Sequence, residues 1–358
     1  MMLYTQQVID SVRAYSLEMD KFRRIPKEVL DFIYDERLFH LFVPDELEGR
    51  MTALPEAARL FQACSRIDGN LGWMVTIGAG GGFFAALLEQ DVSREIFAKR
   101  DAVIAGSGMP TGSARRVEGG YRVSGRWRYC SGSTYATTFT ANAVIESENE
   151  TVKASELTTG AEAQEIRAFA FRPEQIRILP DWNAFGLRAT ASHTMIAEDV
   201  FVPDNRTFLF DEMKSYENET IYRYPFLPFA QVSFAAVAIG IAEHFLDAAE
   251  ALAIAKGSEA YVMDKLKEHS GFLRDSEIGF YETIETSWRE LLQQGEISVE
   301  TEAAVTAASI GAANAARTCG QTLFPLLGLA AAMEDSEVNR CWRDLQTACS
   351  HSLLRSYT

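Results

Sequence analysis

The sequence predicts an α+β protein in which two helical regions flank a central region of β-structure. Apolar residues recur at helical spacing over the first hundred residues, whereas short alternating runs separated by turn residues follow them. Long alanine-rich helical patterns then return in the last part of the chain. Strands and helices do not alternate, so a doubly wound parallel sheet is not expected. We therefore predict an N-terminal α-helical domain (1–101), a central β-domain (102–212) and a C-terminal helical bundle (213–358).

The net charge and the hydropathy of the chain exclude some classes of binding partner. The 358 residues include 34 Lys and Arg against 50 Asp and Glu, which gives a formal charge of -16. This balance disfavours nucleic acid, whose phosphates require clustered cations, and no polybasic run suggests an anionic membrane surface. The longest apolar stretches, such as residues 234–241, are shorter than the roughly 20 residues that span a bilayer. We expect neither nucleic acid nor a membrane as a partner.

The cysteine and histidine residues indicate the cellular compartment of the protein and whether a metal site is expected. The five cysteines are scattered without a CxxC spacing, which is typical of reduced thiols in a cytosolic protein. The N-terminus lacks the charged, apolar and small-residue series of a signal peptide. The five histidines show no HxxxH or HxH spacing, so no metal site is expected. The sequence therefore predicts a soluble, acidic, cytoplasmic protein.

The helical pattern over residues 71–88 contains five glycines. Each glycine costs about 1 kcal/mol against alanine in a helix, so their number requires a reason. Close packing of this helix against a neighbour is one interpretation. The other is that the missing side chains leave a hollow for a substrate.

The central region contains two corners that are rich in glycine and hydroxyl groups. An aromatic strand, residues 127–129, leads into the first corner at Ser131, Gly132 and Ser133. The second corner spans residues 185–192. Backbone N–H groups and short side chains at such strand ends approach a flat polar ligand closely. Either corner alone is typical of an ordinary hairpin, but together they predict a cofactor platform. The polar, acidic stretch 146–165 is expected to be an exposed loop without a chemical role.

The last predicted helix, residues 336–354, carries one polar stripe. Arg340, Asp344, Thr347 and His351 fall within about 60° of one another at 100° per residue. Such a stripe is usually a solvated face. His351 nonetheless lies at regular spacing with an acid and an arginine, and imidazole is the side chain best suited to proton transfer near neutral pH.

Five sequence segments together resemble the acyl-CoA dehydrogenase superfamily. They are RRIPKEVLDFIYDERLFHLFVPDELEG, SRIDGNLGW, PTGSARRVEGGYRVSGRWRYCSG, FGLRATASHT followed by DVFVP, and NRCWRDLQTACSH. The resemblance covers nearly the whole chain. It implies an N-terminal helical domain, a central β-barrel or sandwich domain and a C-terminal four-helix bundle, with flavin (FMN or FAD) held between the last two.

Within this superfamily the details resemble the two-component flavin monooxygenase branch. When Arg343-Asp344 is laid on the Arg-Asp pair of the dehydrogenases, Ser352 stands where their catalytic glutamate would be. A serine without an activating partner is too weak a base for that reaction. The monooxygenase branch instead has a histidine at the place of His351 and a Ser-Gly corner at the place of Ser131-Gly132.

The resemblance implies a reduced flavin, delivered by a separate reductase, that reacts with O2 to give a C4a-(hydro)peroxyflavin. The substrate would be a small aromatic or heteroaromatic molecule. Ser131 would bond the flavin N5, and His351 would deprotonate the substrate or stabilise the adduct. Further predicted flavin-binding residues are Ser107, Gly108, Trp127, Tyr129, Gly132, Thr190, Ser192 and Arg343. Members usually assemble as tetramers through the C-terminal bundle.

Two alternatives remain open from the sequence. One is an FAD-dependent, acyl-CoA dehydrogenase-like enzyme, whose base would be Glu243 or Glu250. The other is a flavin- or ligand-binding relative without catalysis. One departure keeps the second alternative open, because several monooxygenases of the branch carry a histidine in the segment that corresponds to residues 73–84, and none occurs here.

Overall fold

The computed structural model describes residues 3–146 and 165–355. The acidic stretch predicted as an exposed loop lies almost entirely outside the described residues. Helices fill the first and last thirds of the described chain, and strands fill the middle. The helices are α1 (Gln6–Arg13), α2 (Ser16–Phe22), α3 (Lys27–Asp35), α4 (Leu54–Ile67), α5 (Gly69–Gly82), α6 (Gln90–Phe97), α7 (Phe226–Ala255), α8 (Ala260–Gln294), α9 (Val299–Leu323), α10 (Leu329–Ala332) and α11 (Glu337–Ala348).

Helix α5 shows why its sequence holds so many glycines. Asp68 caps the helix and accepts hydrogen bonds from the backbone N–H groups of Asn70 and Leu71. A Cβ atom at Gly72 would collide with Ser65 of α4, and one at Gly78 would collide with the Phe39 ring. The glycines therefore permit close packing of α5 against its neighbours, which is the first of the two interpretations offered by the sequence.

The central strands form one seven-stranded mixed sheet in the order β5-β6-β2-β1-β3-β4-β7. Strands β1 and β3 are parallel, and the other neighbours are antiparallel. The register of β1 against β3 is interrupted between Ser107 and Gly112, so this part of β1 leaves its partner strand. The strands are β1 (Ile104–Val117), β2 (Gly120–Cys130), β3 (Thr138–Ile145), β4 (Ile166–Phe171), β5 (Arg177–Leu179), β6 (His193–Pro203) and β7 (Thr207–Phe208).

Helix α7 lies at the centre of the C-terminal bundle, between α4, α9 and α11. By length and composition it is apolar enough to cross a membrane, which corrects the expectation that no apolar stretch is that long. However, 78% of its most apolar window is buried inside the protein. A core helix of a helical bundle has this character, because neighbours cover it on every side.

The described residues form two hydrophobic cores. One core joins the N-terminal helices to the C-terminal bundle, and the other lies within the β-region around Trp127, Phe169 and Met195. The order of helices, sheet and helices is the predicted α+β architecture. The interface between the two cores brings the second corner of the β-region against α11, and the candidate site lies there.

Candidate active site

A buried row of hydroxyl groups joins the two corners that the sequence singled out. The Trp73 Nε1–H of α5 donates to Ser131 Oγ at 2.9 Å. Ser131 Oγ lies 2.7 Å from Ser192 Oγ, and Ser192 Oγ lies 2.7 Å from Thr190 Oγ1. Thr190 Oγ1 donates to the Leu187 carbonyl at 2.9 Å. Ser131, Thr190 and Ser192, three of the predicted site residues, are therefore brought together in one chain of hydrogen bonds.

Backbone contacts hold the same two corners in register. Gly132 adopts a φ of +82°, and its N–H donates to the Thr190 carbonyl at 2.8 Å. Ser133 Oγ donates to the Ala191 carbonyl at 2.6 Å. A left-handed φ is reached at little cost by glycine, which explains the Ser-Gly-Ser sequence of the first corner.

Three residues without this freedom also adopt left-handed backbone beside the hydroxyl row. The φ values are 67° at Tyr129, 49° at Leu187 and 48° at Ala191. Each such conformation costs of order 1–3 kcal/mol and persists only where the surroundings impose it. Strain concentrated on both corners is typical of a site built to present backbone and side chains to a ligand.

His351 lies against this row through aromatic contacts. Its ring centroid is 4.2 Å from that of Phe234 on α7 and 5.8 Å from that of Trp73. Trp73 thus contacts both predicted catalytic residues, since its indole N–H is bonded to Ser131. The sequence analysis did not name Trp73 as a site residue, although the segment SRIDGNLGW that ends with it was one of the markers of the resemblance.

The protonation state of His351 follows from its surroundings. Burial, and to a lesser extent the charge of Arg355, lowers the pKa of the imidazole to about 4. Its Nδ1 accepts a hydrogen bond from the Leu353 backbone N–H at 3.4 Å. A neutral imidazole whose Nδ1 accepts carries its proton on Nε2. The geometry therefore presents His351 as a neutral side chain with an Nε2–H donor.

The polar stripe of the last helix is not solvated as a whole. Asp344 is fully buried, and one of its carboxylate oxygens accepts from the Leu187 backbone N–H at 2.5 Å. Gly186 packs against the Arg343 carbonyl and Thr347 Oγ1, where a Cβ atom would collide. Burial, together with the charge of Asp68, raises the pKa of Asp344 to about 8. Helix α11 thereby holds the second corner in place. It ends at Ala348 rather than at residue 354, so His351 lies beyond the helix and does not continue the predicted stripe.

Arg343 does not face the candidate site, which corrects its predicted role in cofactor binding. Its guanidinium is 8% exposed and makes a bidentate ion pair with Asp20 of α2, with both N···O distances at 2.9 Å. The remaining contacts are to Asn339 and to the Phe185 carbonyl. Because these partners occupy the guanidinium, Arg343 joins α2, α11 and the second corner as a structural residue.

The remaining predicted residues divide into two groups. Trp127 is fully buried in the β-core and donates to the Asn142 carbonyl at 2.8 Å, so it does not border the site as predicted. Tyr129 is 62% exposed beside Trp182, with ring centroids 6.2 Å apart. Ser107 and Gly108 lie where β1 leaves β3, and a Cβ atom at Gly108 would meet open space. Tyr129, Ser107 and Gly108 therefore remain open to a ligand.

The two glutamates of the dehydrogenase alternative lie elsewhere. Glu243 accepts hydrogen bonds from Gln62 and Arg66 and lines a separate cavity of about 530 Å³ between α1, α4, α7 and α8. It follows Phe234 by nine residues on α7, which is about 13 Å along the axis and half a turn around it. Glu250 is exposed. Neither carboxylate is placed to act beside Ser131 and His351. Within residues 3–146 and 165–355, no three His, Cys, Asp or Glu side chains form a metal-binding group.

The residues at the site fit a flat heteroaromatic cofactor that carries an N–H group. Ser131 Oγ retains a lone pair once Trp73 has donated to it, and two strained corners surround it. Trp73 supplies a neutral ring surface beside that hydroxyl, and the His351 ring contacts Trp73. A reduced flavin has this shape and this donor.

Comparison with known proteins agrees with this assignment. Residues 232–356 match the family model described as acyl-CoA dehydrogenase, C-terminal domain. The indole-3-acetate monooxygenase of Pseudomonas putida is 27% identical over 366 residues, covering 99% of this chain and 90% of the relative. The oxygenase subunit HsaA, a flavin-dependent monooxygenase of Rhodococcus jostii, is 24% identical over 96% of this chain and 92% of its own length.

Solved structures show the same fold. The crystal structure of 3-HSA hydroxylase from a Rhodococcus species superposes with a TM-score of 0.88 at 22% identity, covering 97% of this chain and 91% of the other. XiaF from a Streptomyces species, solved with FADH2 and glycerol, gives a TM-score of 0.83 at 18% identity over 98% and 94% of the two chains. TdsC from a Paenibacillus species, solved with FMN and indole, gives 0.76 at 19% identity over 95% and 90%.

The chain has the α+β, helix–sheet–helix fold of these solved structures, and the groups at its site fit a flavin. The C-terminal part of the chain matches the acyl-CoA dehydrogenase C-terminal domain, and nearly its whole length is similar to flavin-dependent monooxygenases. The predicted fold and resemblance are confirmed, and the comparisons support a flavin-dependent monooxygenase over an acyl-CoA dehydrogenase or an inactive relative.

Proposed function

We propose that this chain is the oxygenase component of a two-component system that hydroxylates a small aromatic or heteroaromatic substrate. The observation that carries the proposal is the contact of Trp73 with both Ser131 and His351, in a site that lacks a dehydrogenase glutamate. Indole-3-acetate, the compound in the name of the Pseudomonas putida relative, is heteroaromatic. A separate reductase would supply the reduced flavin, since the Rhodococcus jostii relative is named as the oxygenase subunit of a flavin-dependent monooxygenase.

Reduced flavin, FMN or FAD, supplies the two electrons with which one oxygen atom of O2 is inserted into the substrate and the other leaves as water. Ser131 would hold the cofactor by accepting a hydrogen bond from its N5–H. The hydroxyl is 5% exposed, so water does not compete for the same lone pair. Thr190, Ser192 and Trp73 fix the position of the Ser131 oxygen.

His351 is better suited to donate a hydrogen bond than to remove a proton. A base with a pKa of about 4 opposite a phenol of pKa about 10 faces an unfavourable transfer of about 8 kcal/mol. A neutral Nε2–H, in contrast, stabilises negative charge on oxygen without a change in protonation. The arrangement supports His351 as the donor that stabilises a developing oxyanion on substrate or oxygen.

Assembly, cofactor identity and compartment complete the proposal. A homotetramer formed through the helical bundle is supported by α8, where Phe272 and Ile278 are each 50% exposed and the space beside Gly271 and Gly279 is open. All five cysteines are free and buried, which is consistent with a cytoplasmic protein. FMN and FAD both remain candidates, because the flavin contacts supported here are to the ring.

Anaerobic mixing with reduced FMN or FAD, followed by oxygenated buffer, tests the proposal. We expect reoxidation of the bound flavin to be delayed relative to free flavin, with a transient near-ultraviolet absorbance recorded by stopped flow. Ser131→Ala should shorten that transient by at least tenfold, because the N5–H loses its acceptor. Ser350→Ala is the matched control, since Ser350 is exposed and its hydroxyl donates to the Gln346 carbonyl of α11.

Two results would contradict the proposal. Reoxidation as fast as that of free flavin, although flavin binds, would remove the monooxygenase assignment. Bleaching of bound FAD by an acyl-CoA thioester would restore the dehydrogenase alternative.

A further inference from the structure

We propose that Thr190 and Ser192 fix the hydrogen-bond polarity of Ser131, so that Ser131 accepts from the cofactor and cannot donate to it. The site would thereby select reduced flavin over oxidised flavin. This inference rests on the proposed function and deepens it, because it attributes the redox state of the bound cofactor to Thr190 and Ser192, which position Ser131.

The polarity follows from counting hydrogens along the row. The row contains four contacts, Trp73 to Ser131, Ser131 to Ser192, Ser192 to Thr190 and Thr190 to the Leu187 carbonyl, at 2.9, 2.7, 2.7 and 2.9 Å. Four hydrogens are available, one on the indole and one on each hydroxyl. Each contact therefore holds one hydrogen only if every hydroxyl donates to the next member in this order.

The two ends of the row permit no other direction. An indole N–H only donates, and a backbone carbonyl only accepts. The Ser131 hydrogen is thus directed to Ser192, and one lone pair of Ser131 Oγ accepts from Trp73. The second lone pair is left, and it faces the ligand as an acceptor.

Burial keeps this arrangement from being exchanged with solvent. Thr190 is 0% exposed, and Ser131 and Ser192 are each 5% exposed. If Ser131 turned its hydrogen toward a ligand, Ser192 would have to donate to Ser131. Either the Ser192 and Thr190 oxygens, 2.7 Å apart, or the Thr190 hydroxyl and the Leu187 carbonyl, 2.9 Å apart, would then face each other with no hydrogen between them. An uncompensated buried oxygen pair is costly, so the reversed polarity is disfavoured.

The two redox states of flavin differ at the atom that Ser131 would contact. Reduced flavin carries a hydrogen on N5 and donates, whereas oxidised flavin has a lone pair there and can only accept. A Ser131 hydroxyl that can only accept forms a hydrogen bond with the N5–H of reduced flavin. Against oxidised flavin it places one lone pair opposite another. Thr190, which is 0% exposed and bonds Ser192 rather than Ser131, is therefore a positioning residue for redox selectivity.

Thr190→Val tests the inference, with Thr190→Ser as the matched control. Valine keeps the shape of threonine but removes the acceptor for Ser192, so Ser192 becomes free to donate to Ser131 and Ser131 to donate to a ligand. Serine keeps the hydroxyl. We would measure anaerobic dissociation constants of wild type and variants for reduced and oxidised FMN and FAD, together with their thermal unfolding.

We expect the ratio of oxidised to reduced dissociation constants to fall about tenfold in Thr190→Val and to stay at the wild-type value in Thr190→Ser. Ser192→Ala removes the acceptor of the Ser131 hydrogen directly, and it should lower the ratio in the same direction. It also keeps the test decisive if Thr190→Val does not fold. An unchanged ratio in both Thr190→Val and Ser192→Ala would overturn the inference while leaving the proposed function intact. Failure of wild type to bind either redox state would instead overturn the proposed function and with it this inference.

Discussion

At the residue scale, the chemistry of His351 is decided by its packing. The ring lies between Phe234 and the end of α11, with Nδ1 occupied by the Leu353 N–H. No carboxylate bonds the imidazole among the hydrogen bonds of the described residues, so burial lowers its pKa without compensation. Of the two roles expected for His351, deprotonation of the substrate or stabilisation of the adduct, a neutral donor is better suited to the second.

Replacement of His351 distinguishes these two roles. Glutamine places an amide N–H near the position of Nε2 but is not a base, whereas alanine removes the donor. If His351 donates, His351→Gln should keep hydroxylation per flavin oxidised within about tenfold of wild type, and His351→Ala should lose about 100-fold. Product yield measured with the substrate and a flavin reductase checks this. Equal loss in both variants would favour the base.

The same pKa shift predicts a pH dependence of stability. Between pH 6.5 and about 4 the unfolded imidazole binds a proton that the folded one does not, so the free energy of unfolding falls as the pH falls through this window. Titration of His351 over this window lowers the free energy of unfolding by on the order of 3 kcal/mol. His351→Gln should flatten this part of the profile in denaturant unfolding, and an unchanged slope would contradict the low pKa.

At the element scale, α11 works as a clamp on the second corner of the β-region. Asp344 holds the Leu187 N–H, and Arg343 holds the Phe185 carbonyl together with Asp20 of α2. Thr190, which orders the hydroxyl row, lies three residues beyond Leu187 on the same corner. Helix α11, which ends shortly before His351, thereby positions Ser131 through the second corner.

Asp20→Ala measures the contribution of this clamp. The substitution leaves the Arg343 charge buried without its partner, so we expect a loss of about 3–5 kcal/mol in the free energy of unfolding. Lys27→Ala is the matched control, because the Lys27–Asp31 pair is exposed and should contribute less than about 0.5 kcal/mol. Chemical denaturation compares the two. A loss in Asp20→Ala no larger than in the control would show that the buried pair is not a clamp.

At the scale of the whole molecule, two helical regions far apart in the chain share one core while the β-region has its own. Trp73 comes from the first helical region, Ser131 from the corner after β2 and His351 from the segment after α11. The site therefore exists only where the regions meet. Separated domains would each carry an incomplete set of groups.

The outer face of α8 is the proposed tetramer interface. Ile278→Glu places a charge among apolar groups at the proposed interface, and we expect the tetramer to dissociate into smaller species in analytical ultracentrifugation. Leu17→Glu on α2 is the control, with 48% of its side chain exposed and no proposed contact. Wild type that sediments as one chain, or Ile278→Glu that remains tetrameric, would contradict assembly through this face.

The sequence by itself determined the order of the architecture and the family. Helical periodicity, the alternating strands and the two hydroxyl-rich corners depend on local pattern, because neighbouring residues set the faces of helices and strands. The same local patterns identified Ser131, Thr190, Ser192 and His351, which the structure places in or beside one row. The five markers gave the superfamily, since their order along the chain carries the resemblance.

Only the tertiary structure decided which side chains reach the site and in which state. Trp127 alternates into the β-core and Arg343 pairs with Asp20, although the sequence analysis named both as flavin-binding residues. Trp73 enters the site from a helix nearly sixty residues away. The pKa of His351 and the polarity of Ser131 depend on desolvation and on hydrogen-bond partners brought from distant segments. Those are properties of packing, and no local pattern encodes them.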